Sequence, residues 1–201
     1  MSRLRVVPIV EGHGEVAAIR ILLQRIRDEM IHGDYLEVHR PIRYPRGKLV
    51  KSEGIRKAVG LAALRLETEE SSDAGFVLVL IDANGDCPAE VAPGLLGRLQ
   101  GVGPDLDVAC VVAKVEYETW FAAAAESLTD LLDLGRPPDV RERPEETGTG
   151  KGWIQSRFRG VRYSETVDQP RMRARMDLGL CRQRSPSFDK LCRVLEARMG
   201  R

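Results

Sequence analysis

Two kinds of hydrophobic pattern alternate along the first 113 residues. Leu4 to Val10 is a short apolar run broken by Arg5, and Phe76 to Ile81 and Val108 to Ala113 are runs of the same kind. Such runs predict strands buried on both faces. Tyr35 to His39 alternates instead, which predicts a strand nearer the sheet edge. Between the strands, Val16, Ile19, Leu22, Leu23, Ile26 and Met30 recur at three- and four-residue steps and predict a helix. Ile55, Val59, Ala62, Ala63 and Leu66 predict a second from about Ser52 to Glu70, and a shorter one runs from Pro88 to Leu99 with the proline in its first turn. This alternation predicts an α/β fold, with a mostly parallel sheet of about four strands flanked by helices. Functional groups in such sheets collect at the carboxyl ends of the strands.

After Ala113 the character changes. Residues 117–132 read as a helix, and a loop rich in Pro, Glu, Gly and Thr follows. Beyond it come short helices, predicted from Trp153 to about Arg159, Arg171 to about Asp177 and Phe188 to Met199. Ser185-Pro186 is a cap and first-turn pair for the last of these. The expected organisation is an α/β domain over 1–134, a loop or linker over 135–150 and a basic helical extension over 151–201.

Composition narrows the field. The 201 residues are 43% hydrophobic and 30% charged, the balance of a folded chain rather than a disordered one. No stretch approaches the roughly 18 apolar residues that cross a membrane, and the N-terminus lacks the apolar run of a secretion signal, so a cytoplasmic protein is expected. Cys87, Cys110, Cys181 and Cys192 form no CxxC pair, and Cys110 reads as a small core residue. The histidines are His13, His32 and His39, and no G-x-S-x-G element supports a serine-nucleophile machine. The net charge of +1 hides segregation: residues 1–65 hold 13 Lys/Arg and 7 Asp/Glu, residues 66–150 hold 5 and 18, and residues 151–201 hold 13 and 5. Basic surfaces for a polyanion beside an acidic site for cations give a pattern of this kind.

The strand ends carry the acids. The first strand runs into Glu11-Gly12-His13-Gly14-Glu15, the strand of residues 76–81 ends in Asp82-Ala83-Asn84-Gly85-Asp86, and Val108–Ala113 is followed by Lys114-Val115-Glu116-Tyr117-Glu118. Carboxylates gathered on one rim repel one another unless a cation neutralises them, and oxygen ligands at this density suit Mg²⁺ or Mn²⁺. The spacing of Asp82, Asn84 and Asp86 by two lets a turning chain direct alternate side chains at one ion.

These residues carry a resemblance. Val10-Glu11-Gly12 before a helix, then a buried strand ending Asp82-x-Asn84-x-Asp86, resembles the Toprim domain of topoisomerases, bacterial primases and related nucleases, a Rossmann-like fold. Together with Glu116-x-Glu118-x-Trp120-Phe121 and Tyr163-x-Glu-Thr-Val-Asp168-Gln, the chain resembles an uncharacterised bacterial family of small Toprim-like proteins, often associated with ATPases in phage defence. The resemblance implies that Glu11 acts as general acid/base or metal ligand and that Asp82 and Asp86 hold Mg²⁺ for phosphodiester chemistry. Asn84 stands where the Toprim pattern usually has Asp, which removes one negative charge and puts a second ion in doubt. Glu116 or Glu118 supplies a further ligand, and Lys151 neutralises phosphate charge as a lysine is thought to do in related nucleases. Trp120 and Phe121 read as core.

The function expected is Mg²⁺-dependent phosphodiester chemistry on nucleic acid, with basic residues contacting phosphates: Arg43, Arg46, Lys48, Arg157, Arg159 and Arg162, with Arg171, Arg173 and Arg175 on the same extension. Nucleic acid and an ATPase are the partners implied; homo-oligomerisation is left open. A catalytically degenerate module that binds nucleic acid or an ATPase without cutting is the alternative, favoured by Asn84. A lesser one reads Gly12-x-Gly14 as a dinucleotide-binding turn, with Arg40 or Arg43 for a 2′-phosphate.

Overall fold

The structure is a computed structural model and describes residues 3–67, 74–135, 143–146 and 150–200. A parallel sheet forms its centre. Strand β1 (Arg3–Val10) pairs with β4 (Gly75–Asp82) on one side, and β4 pairs with β5 (Asp107–Ala113). On its other side β1 pairs first with β2 (Tyr35–Val38) and then with β3 (Ile42–Arg43). The sheet therefore has five strands in the order β2/β3, β1, β4, β5, all parallel. The fifth strand, β3, is two residues long and follows Pro41, too short to leave a periodic signal. Arg5, the charge inside β1, is nearly buried and donates from Nη1 to the Leu66 carbonyl at 2.8 Å.

Helices cover both faces. Val7, Ile9, Val77, Val79, Val108, Cys110 and Val112 meet α3 (Ser52–Glu67) and α4 (Pro88–Val102). A short helix, α2 (Arg46–Leu49), precedes α3. Strand residues of opposite parity, among them Val6, Val10, Leu78, Leu80 and Val111, meet α1 (His13–Ile26), which runs on into a π-helical turn at Arg27–Ile31. Residues 68–70 of the predicted second helix lie outside the described residues, as do 136–142 and 147–149 of the predicted loop.

The helix predicted over 117–132 is broken. It becomes α5 (Thr119–Ala123) and a 3₁₀ turn at Ala125–Leu128, because the backbone leaves helical geometry at Ala124 (φ −114°, ψ 24°) and Ser127 Oγ donates to the Ala124 carbonyl at 2.6 Å. The C-terminal region is helical: α6 (Lys151–Arg157), α7 (Glu165–Arg173), α8 (Leu178–Arg184) and α9 (Pro186–Met199). Helix α7 starts six residues before the predicted Arg171, at a Ser164 whose N–H donates to Asp168 Oδ2 at 2.8 Å. Ser185 caps α9 as expected, accepting from the Phe188 N–H at 3.2 Å. Ile154, Met172, Leu178, Phe188, Leu191 and Leu195 of these helices join β1 and α1 in one hydrophobic core, so residues 151–200 wall the same face of the sheet. Among the described residues no helix is long and apolar enough to cross a membrane.

Candidate functional site

The chain leaves β1 toward β2 and β3, then crosses back to place β4 on the other side. The crevice of an open parallel sheet lies where the strand order reverses in this way. Here it lies beyond the carboxyl ends of β1 and β4, where Glu11 and Asp82 stand. The Asp82 N–H reaches Glu11 Oε2 at 3.4 Å.

Asp82, the last residue of β4, is 8% exposed, and its Oδ1 accepts the Tyr117 N–H at 2.8 Å. Burial first, then the negative charges of Glu15, Glu118 and Glu11, push its pKa up to about 8. Glu15, in the first turn of α1, is 4% exposed and its carboxyl pKa is raised by burial. Its side chain folds back over Gly12, where a β-carbon would collide with Glu15 Oε2. A β-carbon on Gly14 would collide with the Gln169 side chain of α7. Protein side chains therefore fill the space over both glycines, and the bare backbone that a pyrophosphate would need in the dinucleotide reading is covered.

Glu118 is wholly buried; its Oε1 accepts from Gln169 Nε2 at 2.9 Å and from the Tyr163 hydroxyl at 3.1 Å. Burial raises its pKa against the opposing effects of Gln169 and Lys151. Several oxygens here are buried without a hydrogen-bond partner: Glu15 Oε2, Glu118 Oε2, Gln169 Oε1 and the Tyr117 hydroxyl. Such groups are costly to leave unsatisfied, and a cation, a water or a ligand normally answers them. Behind Tyr117, the wholly buried Arg173 guanidinium lies 4.2 Å above its ring and 4.6 Å from that of Phe121.

Two predicted ligands lie on an exposed turn. Asn84 (φ 50°) and Gly85 (φ 96°) both adopt left-handed backbone, and the turn delivers an exposed Asp86 to Arg46, with which it forms an ion pair. Arg46 also donates from Nη1 to the Ala83 carbonyl at 2.7 Å. The turn is not extended, so the spacing by two does not direct Asn84 and Asp86 to one side as it would in a strand. Glu116 is likewise engaged elsewhere: its Oε2 accepts the Lys151 N–H at 2.7 Å and meets the start of α6, where a β-carbon on Gly150 would collide with it. The Lys151 ammonium lies 3.1 Å from Glu165; burial lowers its pKa, but Glu118, Glu165 and Glu116 outweigh that and raise it. As they stand, no three His, Cys, Asp or Glu side chains among the described residues converge on one ion position.

The basic candidates divide. Arg43, Lys48, Arg159 and Arg162 are exposed, although Arg159 also donates to the Thr129 and Leu132 carbonyls at 2.9 and 3.3 Å. Arg157 is buried with its guanidinium 4.3 Å above the Trp153 ring, and Arg173 is in the core, so neither is placed to meet phosphate on the surface. Trp120 and Phe121 are core residues, as expected. Glu15 and Gln169 were missed as site residues. Glu15 belongs to the Glu11–Glu15 motif, but four residues after Glu11 in a helix its direction is not legible; Gln169 closes the Tyr163–Gln169 motif, but nothing local to it points to a partner 158 positions from Glu11.

The carboxylates near enough to Asp82 to act on its charge are therefore those of Glu15, Glu118 and Glu11, with Glu118 held by Tyr163 and Gln169 and Lys151 at the border. No curated protein and no solved structure matches the chain. The family described as Domain of unknown function (DUF4276) matches residues 10–196, nearly the whole length, and the chain belongs to that family.

Proposed function

We propose that the protein carries out Mg²⁺- or Mn²⁺-dependent phosphodiester chemistry on nucleic acid, through a Toprim-like arrangement at the carboxyl ends of β1 and β4. The observation that carries the reading is the buried carboxylate cluster with unpartnered Glu15 and Glu118 oxygens around Asp82. Asp82, Glu15, Glu118 and Glu11 offer the hard oxygen donors that such a cation takes. When bound, it would supply charge neutralisation for a phosphate group. Glu11, half-exposed at the mouth of the crevice, moves protons to and from the reacting oxygens. Lys151, at the rim beside Glu165, offsets phosphate charge, and the exposed Arg43, Lys48 and Arg162 contact the backbone of the substrate. The protein works in the cytoplasm in this reading, with an ATPase as partner in phage defence.

A second reading has one observation in its favour. The engagement of Asp86 by Arg46 leaves fewer ligands than a two-cation site needs, which suits a module that binds nucleic acid or a partner without cutting. One experiment separates the two. Single- and double-stranded DNA and RNA are incubated with the protein and Mg²⁺ or Mn²⁺, comparing wild type with Glu11→Gln and Asp82→Asn. Cleavage that both variants abolish supports the enzyme. Absence of cleavage together with absence of cation binding by calorimetry sinks it.

A further inference from the structure

Residues 40–57 carry seven Lys/Arg and one Asp/Glu, the acid being Glu53, which pairs with Lys57. The fold sets this basic stretch beside the site. Arg43 is in register with Val10, so one strand spacing of about 4.8 Å separates it from the end of β1, and Glu11 comes next in the chain. The Tyr44 N–H donates to the Val10 carbonyl at 2.8 Å. Arg46, in α2, donates to the carbonyl of Ala83, one residue past Asp82. The segment therefore borders the carboxyl ends of both β1 and β4.

Its outward cations are uncommitted. Arg40, Arg43, Lys48 and Lys51 are exposed, and none of them has an ion-pair partner among the described residues. The C-terminal helices hold more basic residues but engage them: Arg171, Arg175, Arg182, Arg184, Arg193 and Arg198 each pair with an acid. An acid at ion-pair distance offsets most of a cation's attraction for a phosphate a few ångströms further out. The surplus charge of residues 151–201 is therefore largely neutralised in place, whereas that of residues 40–51 faces solvent.

The make-up of the patch favours paired strands. Single-strand binders stack successive bases on exposed aromatic rings. Tyr44, the aromatic residue of 40–57, is half-buried, and the exposed Tyr35 opens β2 at the opposite rim of the sheet. The patch offers charge without a stacking platform, which suits a duplex carrying about one negative charge per 1.7 Å of its axis. We propose that the β3–α2 side of the crevice seats the phosphate backbone of a nucleic-acid duplex and leads it to Glu11 and Asp82. This seat presupposes the nucleic-acid reading above, and it puts the main phosphate contact on residues 40–51 rather than on the C-terminal helices.

The test titrates fluorescent DNA and RNA, single-stranded and duplex, with the full chain in the presence of a chelator, and follows anisotropy over a range of salt concentrations. Wild type should bind a duplex more tightly than either single strand. The Lys48→Gln, Lys51→Gln double variant should bind it at least tenfold more weakly, with a log–log salt slope shallower by about 2. The Lys190→Gln, Arg193→Gln variant of α9 removes the same net charge from exposed positions and should change the affinity less than about threefold. Equal weakening by the two double variants, tighter binding of a single strand, or no binding of any of the four by wild type would each overturn the proposal. Duplex binding that follows the expected pattern while nothing is cleaved when Mg²⁺ or Mn²⁺ is supplied would sink the chemistry at Asp82 and leave the duplex seat standing.

Discussion

The main-chain N–H of Tyr117 donates to Asp82 Oδ1 at 2.8 Å, which fastens the end of β4 to the chain that has just left β5. A single amide donor favours the charged carboxylate. It is outweighed by burial and by the charges of Glu15, Glu118 and Glu11, so the Asp82 pKa is pushed up to about 8. The residue at the focus of the sheet therefore carries a proton over most of the neutral range when no cation is present.

Stability should follow from that proton. The unfolded chain releases it near the ordinary aspartate value of about 3.9, while the folded chain holds it up to about 8. Between those values the folded state binds more protons, so its stability falls as pH rises. The contribution is fully present below the unfolded pKa and is lost through about pH 8. Urea denaturation of the metal-free protein at pH 5 and pH 9 should show a loss on the order of a few kcal/mol. Millimolar Mg²⁺ or Mn²⁺ should restore more of it at pH 9 than at pH 5.

Asp82→Asn isolates the residue. The amide oxygen still accepts the Tyr117 N–H, but no charge is left to bury. The variant should be at least as stable as wild type at pH 9 without metal, with a flatter pH profile, and it should gain less from the cation. A steeper profile than wild type would show that the pH dependence originates elsewhere in the cluster.

Val115 holds the turn between β5 and the acids at a cost. It adopts φ 65°, a left-handed conformation that a β-branched side chain strongly disfavours. Its carbonyl accepts the Asn84 N–H at 2.9 Å, so the strained residue links the two strand-end loops. Val115→Gly should stabilise the protein by about 1 kcal/mol, against the usual penalty for introducing glycine. Chemical denaturation of the pair measures it.

How much of this could be read beforehand depended on how local the cause was. Val6 to Val10, Phe76 to Ile81 and Val108 to Ala113 announced themselves because a strand buried on both faces is apolar at every position. The positions of Glu11 and Asp82 followed from those strands. The Arg46 pairing of Asp86 was not legible, because a two-residue spacing directs side chains together only in extended chain, and Asn84 and Gly85 are left-handed. Glu15 folds over Gly12 only because that residue lacks a β-carbon, a contact no periodicity encodes. Glu118 gains its donors from Tyr163 and Gln169, which α7 and the segment before it bring from 45 and 51 residues away.

Gly14 tests the closeness of that approach. The Gln169 side chain lies where a β-carbon would stand, so Gly14→Ala should force Gln169 aside and disturb the contact between α1 and α7. A cost of about 1–3 kcal/mol is expected from overpacking, although alanine is the better helix former. An unchanged unfolding midpoint would mean that Gln169 yields without strain.

The two donors on Glu118 should prove coupled. Tyr163→Phe removes the hydroxyl at 3.1 Å and Gln169→Met removes the amide at 2.9 Å, and both act on the same Oε1. With one donor gone the other still serves the buried carboxylate. With both gone neither oxygen keeps a side-chain donor, since Oε2 already lacks a partner. Each single variant should cost about 1 kcal/mol, and the double variant should cost more than their sum by at least about 1 kcal/mol at pH 8. Glu118 has a raised pKa through burial, and both donors oppose its protonation, so removing them lets the carboxyl hold its proton to still higher pH. As pH falls and the carboxyl takes up its proton, less charge is stranded, so the excess cost should be smaller at pH 5 than at pH 8. A coupling energy that stays the same at pH 5 and pH 8 would place the effect in packing around α7 rather than in the charge on Glu118.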